Sequence, residues 1–279
     1  MGLGTALITP FKEDKRVDFE ALARLLDTQL TGSVDYIVVL GTTGEAATMS
    51  EAEREEVRAF IRTYINGRLP LVLGVGGNCT AAVCETLRTI DLSGFEAILS
   101  VCPYYNKPNQ EGLYQHFCEV AKASPIPVIL YNVPGRTGVN LLPETVMRIW
   151  EAHPDKIIGI KEASGNIEQI KHLIDLAKDK LMVISGDDGI ACEVMEAGGL
   201  GLISVASNAF PADFHAIVHK KDQAKQAKYD NMVRLLFKEG NPVGIKAVLA
   251  QKGIIQNYLR LPLVPASQEL QEEIRKELA

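Results

Sequence analysis

Short apolar runs with the character of β-strands alternate with amphipathic helical stretches along most of this 279-residue chain. Because a strand that is followed by a helix pairs in parallel with the next strand, eight such units predict an α/β protein with a (β/α)8 TIM barrel. The eight predicted strands are Thr5–Ile8, Tyr36–Leu40, Leu71–Val75, Ala97–Val101, Val128–Tyr131, Ile157–Lys161, Met182–Ile184 and Gly201–Ser204. The helical segments between them are Asp18–Leu30, Glu51–Tyr64, Thr80–Ile90, Glu111–Ala123, Pro143–Trp150 and Ile167–Ala177.

Start signals support two of these helices. Ser50 precedes Glu51 and Glu53, which is the pattern of an N-cap followed by acidic residues in the first turn. Pro143, followed by Glu144, is typical of the first position of a helix.

The last quarter of the chain has helical patterns only. Asn241-Pro242 and Gly253 are among the breaks that divide it into three or four helices. We therefore predict two parts. Residues 1–210 form the barrel that carries the active site, and residues 211–279 form a C-terminal helical region packed on the barrel.

A doubly wound sheet is the competing α/β architecture. It would be expected to use fewer strands and to carry a nucleotide-binding fingerprint of three glycines. Gly74-Val75-Gly76-Gly77 is a poor match to that fingerprint, because Cys79 occupies the third-glycine position. These glycines are interpreted as a tight strand end near the barrel mouth, with a nucleotide loop as the alternative.

Composition and charge limit the partners and the location of the protein. The formal net charge of −6, without a basic run, argues against binding to nucleic acid or to an anionic membrane. No apolar stretch approaches the roughly 20 residues that span a bilayer, and the N-terminus lacks the basic region of a secretory signal. The five cysteines form no Cys-X-X-Cys pair, which favours reduced thiols over disulfides or a zinc site. We expect a cytoplasmic enzyme.

Lys161 closes the apolar run Ile157-Ile158-Gly159-Ile160, at the end of a strand that is apolar on both faces. A buried ammonium group loses much of its solvation energy unless it is paired, discharged or exposed at a mouth. Burial of this kind can lower the pKa of a lysine enough to make its amine a nucleophile. The alternative is a structural lysine that extends to water or pairs with Glu162.

In a (β/α)8 barrel the chemistry lies at the carboxyl ends of the strands. An amine, several phenols, hydroxyl groups, a glycine-flanked turn and one arginine are predicted to meet there, which indicates an active site. Besides Lys161, the segments at these ends are Gly41-Thr42-Thr43-Gly44-Glu45, Cys102-Pro103-Tyr104-Tyr105-Asn106, Tyr131-Asn132-Val133-Pro134-Gly135-Arg136-Thr137-Gly138, Ser185-Gly186-Asp187-Asp188 and Ile203-Ser204.

Each of these groups also has a purely structural interpretation. The turn 41–44 could cradle an anion with its backbone N–H groups, or it could be an ordinary turn. Tyr131 could carry protons beside a reactive amine, or it could simply line the barrel. Arg136 could hold a carboxylate with both arms of its guanidinium group, or it could lie on the surface without a function.

Two motifs resemble metal ligands but do not predict a metal site. Asp187 and Asp188 precede an apolar helix, where aspartates more often cap the helix. His215 and His219 share one face of a helix, but no third ligand stands nearby in the sequence. We interpret this pair as surface or packing residues.

The strand-end motifs together resemble the dihydrodipicolinate synthase family. The resemblance rests on Gly41-Thr42-Thr43-Gly44-Glu45, Pro103-Tyr104-Tyr105-Asn106, Tyr131-Asn132-Val133-Pro134-Gly135-Arg136-Thr137-Gly138, Ile158-Gly159-Ile160-Lys161-Glu162 and Ser185-Gly186-Asp187-Asp188. It runs in order from the first strand to Asn241-Pro242. It implies a class I aldolase barrel, usually a homotetramer, that condenses pyruvate with L-aspartate-4-semialdehyde in the diaminopimelate route to lysine.

The resemblance also implies the catalytic residues. Lys161 would form the Schiff base with the ketone of pyruvate, and Tyr131 would donate and accept protons. Thr42 and Tyr105 would complete the proton relay, with Tyr105 reaching in from a neighbouring subunit of the homotetramer. No metal or organic cofactor is implied.

The substrate-binding residues follow from the same resemblance. Thr43 and the backbone of Ile203 would bind pyruvate, with Gly186 beside them. Arg136 would hold the carboxylate of the semialdehyde.

One departure from the family concerns inhibition by lysine. Members that are inhibited bind lysine at a subunit interface through a set that includes serine, two histidines and a glutamate. Ala46, Glu51, Arg54 and Ala82 stand at those positions here, although Tyr104 and Asn78 are kept. We therefore expect weak or absent inhibition by lysine.

Two alternative functions stay open at the level of sequence. N-acetylneuraminate lyase and the 2-keto-3-deoxy-sugar-acid aldolases share the Schiff-base lysine and the tyrosine, but they need contacts to sugar hydroxyl groups. A barrel that binds a keto acid without turnover would not need the lysine, both tyrosines and both threonines together.

Overall fold

The computed structural model describes residues 2–279. Within them, eight strands follow one another in chain order around a closed parallel barrel, which confirms the predicted (β/α)8 architecture. The strands are β1 Gly2–Ala6, β2 Tyr36–Val39, β3 Leu71–Gly74, β4 Ala97–Val101, β5 Val128–Asn132, β6 Ile157–Glu162, β7 Met182–Ser185 and β8 Gly201–Ser204. Each overlaps its predicted segment, and the largest shift is at β1, which begins three residues earlier than Thr5.

Twelve α-helices accompany the strands in the described part of the chain. They are α1 Phe19–Thr31, α2 Glu51–Ile65, α3 Thr80–Thr89, α4 Gln110–Ala123, α5 Pro134–Thr137, α6 Pro143–Ala152, α7 Ile167–Ala177, α8 Ala191–Glu196, α9 Pro211–Lys220, α10 Gln223–Lys238, α11 Val243–Gln251 and α12 Gln268–Leu278. The last four agree with the three or four helices predicted after residue 210.

The predicted helix starts are confirmed. The Ser50 hydroxyl accepts a hydrogen bond from the Glu53 N–H, and the Glu53 carboxylate accepts one from the Ser50 N–H. This reciprocal capping box satisfies two N–H groups that have no partner within the helix. Pro143 occupies the start of α6, as its fixed φ angle favours.

The central strands are apolar because both of their faces are covered. All five residues of β5 are buried, and Ile129 and Leu130 have no exposed surface. Strands covered on both sides have continuous rather than alternating apolar sequences. The register of β5, β6 and β7 places Tyr131 beside Lys161 and Lys161 beside Ile184.

The contacts within the chain define two compact units. One comprises residues 71–203, from β3 to β8, and the other comprises residues 2–70 together with 204–279. Within the second unit, α9 lies against β1, and α11 and α12 pack on each other and on α10. The predicted division of the chain at residue 210 stays a prediction.

Two expectations from composition can be compared with the structure. Within residues 2–279, no helix is both long enough and apolar enough to cross a membrane. All five cysteines are unbridged. Cys79 is exposed, and the other four are buried.

Candidate active site

Lys161 lies near the end of β6, and its side chain contacts the aromatic ring of Tyr131 on the neighbouring strand. The Nζ atom is 4.5 Å from the ring centroid, and both residues are buried, with 5% and 8% of their surfaces exposed. An amine over the face of a tyrosine is attracted by the ring when it carries a proton. The structure therefore brings together the predicted nucleophile and the predicted proton carrier.

Gly186 makes room for the Lys161 side chain. A Cβ atom at this glycine would lie 2.9 Å from Lys161 Cε and 2.6 Å from the Cβ of Ala163, too close for either contact. The Gly186 N–H donates a hydrogen bond of 2.7 Å to the carbonyl oxygen of Glu162, which fixes the start of the loop after β7 beside β6. A residue with a side chain here would push the lysine out of its position.

Glu162 follows Lys161 in the strand but has different partners. Its carboxylate accepts hydrogen bonds from Asn132 Nδ2 at 2.9 and 3.2 Å, from the Ser164 N–H at 2.8 Å and from Gln169 Nε2 at 3.3 Å. Because successive side chains of a strand point to opposite faces, Glu162 extends away from the side of β6 on which Lys161 lies. Burial raises the pKa of this carboxyl group, and the hydrogen bonds oppose that shift.

A buried polar network therefore lies behind the lysine–tyrosine pair. Asn132 also donates to Asn140 Oδ1 at 2.7 Å, and the Asn132 Oδ1 accepts from the Leu141 N–H at 2.9 Å. These bonds join the ends of β5 and β6 to the segment that leads into α6. Neither Glu162 nor Asn132 was predicted from the sequence to be a functional residue, although each directly follows a residue that was.

The predicted clamp and the predicted relay tyrosine lie on two loops that touch each other. Arg136 is in the short helix α5 and is exposed. Tyr105 is 88% exposed and has a φ angle of +76°. Its N–H donates to the carbonyl oxygen of Thr137, at 3.4 Å. The last predicted residue of this unit, Ile203, is in β8 and fully buried.

The turn after β2 is tightly folded. Residues 42–44 form one turn of 3₁₀ helix, and Glu45 follows in the left-handed conformation at φ +54°. The Thr9 hydroxyl donates to the Gly44 carbonyl oxygen at 2.7 Å, and a Cβ atom on Gly44 would lie 3.1 Å from the backbone oxygen of Leu7. Thr42 is exposed at this turn, whereas Thr43 is 4% exposed.

Thr43 is held from the C-terminal part of the chain. Asn241 Nδ2 donates to the Thr43 Oγ1 atom at 2.9 Å, and Asn241 itself is buried. Because this bond occupies the threonine oxygen as an acceptor, the hydroxyl hydrogen remains available to donate to another group. That orientation suits a hydroxyl group that binds an anion.

A buried ion pair anchors the same turn. Lys246 Nζ contacts the Glu45 carboxylate, and the two side chains have 0% and 1% of their surfaces exposed. Lys246 also donates to the Tyr258 carbonyl oxygen at 3.1 Å, and the Arg260 N–H donates to Glu45 Oε2 at 3.1 Å. Burial lowers the pKa of Lys246 to about 8, against the opposing effect of Glu45. This pair, which was not predicted from the sequence, joins residues about 200 positions apart.

The predicted capping role of the aspartates is confirmed for one of them. Asp187 Oδ1 accepts a hydrogen bond from the Gly189 N–H at 2.9 Å, at the start of the 3₁₀ turn 188–190. The Ser185 hydroxyl also donates to the Asp187 carbonyl oxygen, at 3.0 Å. These contacts account for Asp187 as a residue that shapes the loop after β7.

Comparisons with known proteins point to one family. The model of the "Dihydrodipicolinate synthetase family" matches residues 1–279. The 4-hydroxy-tetrahydrodipicolinate synthase of Parabacteroides distasonis is 49% identical over 284 residues, covering 99% of this chain and 95% of that protein. The chloride-inhibited dihydrodipicolinate synthase from Acinetobacter baumannii, solved in complex with pyruvate, superposes with a TM-score of 0.95 at 40% identity, covering 99% and 97% of the two chains. A monomeric dihydrodipicolinate synthase variant superposes equally well, at 40% identity and with 99% and 95% coverage.

Proposed function

This chain belongs to the dihydrodipicolinate synthetase family, and we propose that it is a lyase that condenses pyruvate with L-aspartate-4-semialdehyde. The observation that carries the proposal is the buried Lys161 amine, 4.5 Å from the centre of the Tyr131 ring at the carboxyl ends of two adjacent strands. The names of the relatives favour the synthase over the sister aldolases that act on sugar acids.

The proposed reaction begins with a covalent adduct. The neutral Lys161 amine attacks the ketone carbon of pyruvate, and loss of water leaves a protonated imine. The imine withdraws electrons, so a methyl proton can leave and an enamine forms. The enamine carbon attacks the aldehyde carbon of the semialdehyde. The amine of the semialdehyde then displaces Lys161 as the ring closes, which returns the free enzyme.

Proton transfer is assigned to Tyr131. Its ring lies against the amine, so its hydroxyl group can exchange protons near the reacting atoms. Thr42 and Tyr105 are proposed to extend the relay. Arg136 is proposed to bind the semialdehyde carboxylate, and Thr43 and Ile203 to bind pyruvate, with Gly186 holding the space for the lysine. The reaction as proposed uses no metal or organic cofactor.

The test of the proposed function is reductive trapping. The protein is incubated with pyruvate and borohydride, and the modified peptide is mapped by mass spectrometry, with condensation of the semialdehyde measured in parallel. We expect one adduct per chain, on Lys161. Lys161→Arg keeps the positive charge but should lose both the adduct and turnover. An adduct on another lysine, or turnover by the arginine variant, would contradict the assignment.

We further propose a cytoplasmic homotetramer in which Tyr105 crosses a subunit interface. The 88% exposure of Tyr105 and the 42% exposure of its neighbour Tyr104 are the features that support an interface at this loop. Because a related variant is monomeric, the oligomeric state needs its own measurement, by sedimentation velocity. If the homotetramer is dissociated and the monomers keep full activity, the proposed role of Tyr105 is refuted.

Weak inhibition by lysine is also proposed. Arg54 donates to the Ala46 carbonyl oxygen at 3.1 Å and pairs with Glu51 at 3.5 Å. Glu51 also pairs with Arg58, at 2.7 Å. Glu51, the acidic residue of this set, is therefore already paired with two arginines. The ammonium groups of a bound lysine would find no unpaired carboxylate among these residues, whereas the set in the inhibited relatives includes a glutamate.

A further inference from the structure

Two histidines and an aspartate converge at the amino ends of β1 and β2, the opposite ends of these strands from the turn 41–45. His215 and His219 are one helical turn apart on α9, and Asp35 immediately precedes β2. No third ligand stands close to the two histidines in the sequence. The fold supplies one, because α9 lies against β1.

The three side chains are close enough to share one ion. One ligand atom from each residue lies within 4.8 Å of the other two. The Asp35 Oδ2 and His219 Nε2 atoms are 2.7 Å apart, and the centroids of the two imidazole rings are 4.2 Å apart. Four ligands at zinc distances of about 2.1 Å are separated by about 3.4 Å along the edges of a tetrahedron. Small side-chain rotations convert the observed spacing into that geometry.

The aspartate is already fixed in place. The Leu3 N–H donates to Asp35 Oδ2 at 2.6 Å, and the Asp35 N–H donates to the Leu3 carbonyl oxygen at 2.8 Å. Position 2 also requires glycine. Its φ angle is +84°, and a Cβ atom there would lie 2.2 Å from Asp35 Oδ2 and 3.0 Å from His219 Nε2. A carboxylate that is held by the backbone loses little freedom when an ion binds.

We propose that Asp35, His215 and His219 form a binding site for a divalent transition-metal ion such as Zn²⁺ or Ni²⁺. Two imidazole nitrogens and one carboxylate oxygen favour these ions over Mg²⁺ and Ca²⁺, which prefer all-oxygen ligand sets. The side chains of His219 and Asp35 are 42% and 31% exposed, so water can complete the coordination. The ion replaces the proton that the pair shares and links α9 to the start of β2.

The competing interpretation is a simple hydrogen bond between His219 and Asp35. The chain contains a matched example, His172 and Glu144, whose atoms are 2.8 Å apart at an exposed position. Within residues 2–279, no third histidine, cysteine or carboxylate lies close enough to this second pair to form a three-ligand group. It therefore serves as the control for a histidine–carboxylate pair that should not bind the ion.

The experiment is a titration of the full-length, chelator-treated protein with ZnCl₂ and with NiCl₂ in a calorimeter. Cys79→Ser is the background, because the exposed thiol is a second possible zinc ligand. We expect one ion per chain. His215→Gln, His219→Gln and Asp35→Asn should each weaken binding by about tenfold or more, and His172→Gln should leave it unchanged.

A spectroscopic titration with Co²⁺ provides a second measurement that does not depend on the variants. Visible absorption of the strength typical of a tetrahedral or five-coordinate site should saturate at one ion and disappear on addition of excess Zn²⁺. The proposal is overturned if no saturable binding occurs below millimolar metal. It is also overturned if the double variant His215→Gln/His219→Gln binds the ion as tightly as its background. Neither outcome bears on the aldolase activity.

Discussion

Replacement of Lys246 by methionine is the sharpest test of how the turn after β2 is held. Methionine matches the length of the lysine stem but carries no charge, so the Glu45 carboxylate would remain buried without its cationic partner. The Arg260 N–H still donates to that carboxylate, but one neutral donor does not replace a full charge.

The expected loss is about 3–5 kcal/mol of unfolding free energy, the cost of leaving one member of a fully buried ion pair unpaired. The double variant Glu45→Gln/Lys246→Met removes both charges and should recover roughly half of that loss or more. Urea unfolding followed by far-UV circular dichroism at pH 7, at a fixed protein concentration, measures both values. A loss below about 1 kcal/mol for the single variant would show that the pair does not stabilise the fold.

The same pair predicts how stability depends on pH. The pKa of Lys246 is about 8 in the folded protein and 10.5 for an ordinary lysine, so between these values the unfolded state binds the extra proton. The unfolding free energy therefore rises with pH through this window. The gain should be present in the wild type and absent from the double variant. The pH dependence of the double variant comes from all the other titrating groups. A wild-type stability that falls or stays constant relative to the double variant would refute the assignment.

The remaining predictions concern the proposed reaction. Tyr131→Phe should slow turnover by ~10²-fold or more while the pyruvate adduct still forms, as single-turnover trapping would show. Gly186→Ala places a Cβ atom 2.9 Å from Lys161 Cε and should abolish the adduct. An adduct yield equal to that of the wild type would contradict this expectation. Arg136→Ala should raise the KM for the semialdehyde with little effect on the KM for pyruvate. An unchanged KM for the semialdehyde would refute the proposal that Arg136 binds its carboxylate. Lysine should not inhibit at sub-millimolar concentration in a steady-state assay.

The sequence predicts the barrel well because the signal for each strand is local. Apolar runs such as Val128–Tyr131 are covered on both faces, and their boundaries were within a residue or two of the observed ones for seven of the eight strands. Strand ends also predict where Lys161, Tyr131 and Gly186 meet, since neighbouring parallel strands end at the same edge.

Contacts between distant segments could not be predicted in this way. Glu45 with Lys246, Thr43 with Asn241, and Asp35 with the two histidines of α9 each join residues more than 170 positions apart. Each pair depends on how the C-terminal helices return to the first part of the chain, which periodicity does not encode. The buried charges were missed for a related reason, because a lysine in a helix is expected on the surface.

The ion pair of Lys246 with Glu45 has a consequence for the order in which the molecule can be assembled. Glu45 is synthesised well before Lys246, so the nascent chain carries this carboxylate without its counter-ion until about 200 further residues have been added. The turn that holds the threonines must stay open or hydrated until then. A fragment that stops at residue 210 would keep every strand yet lack the cation that closes this turn.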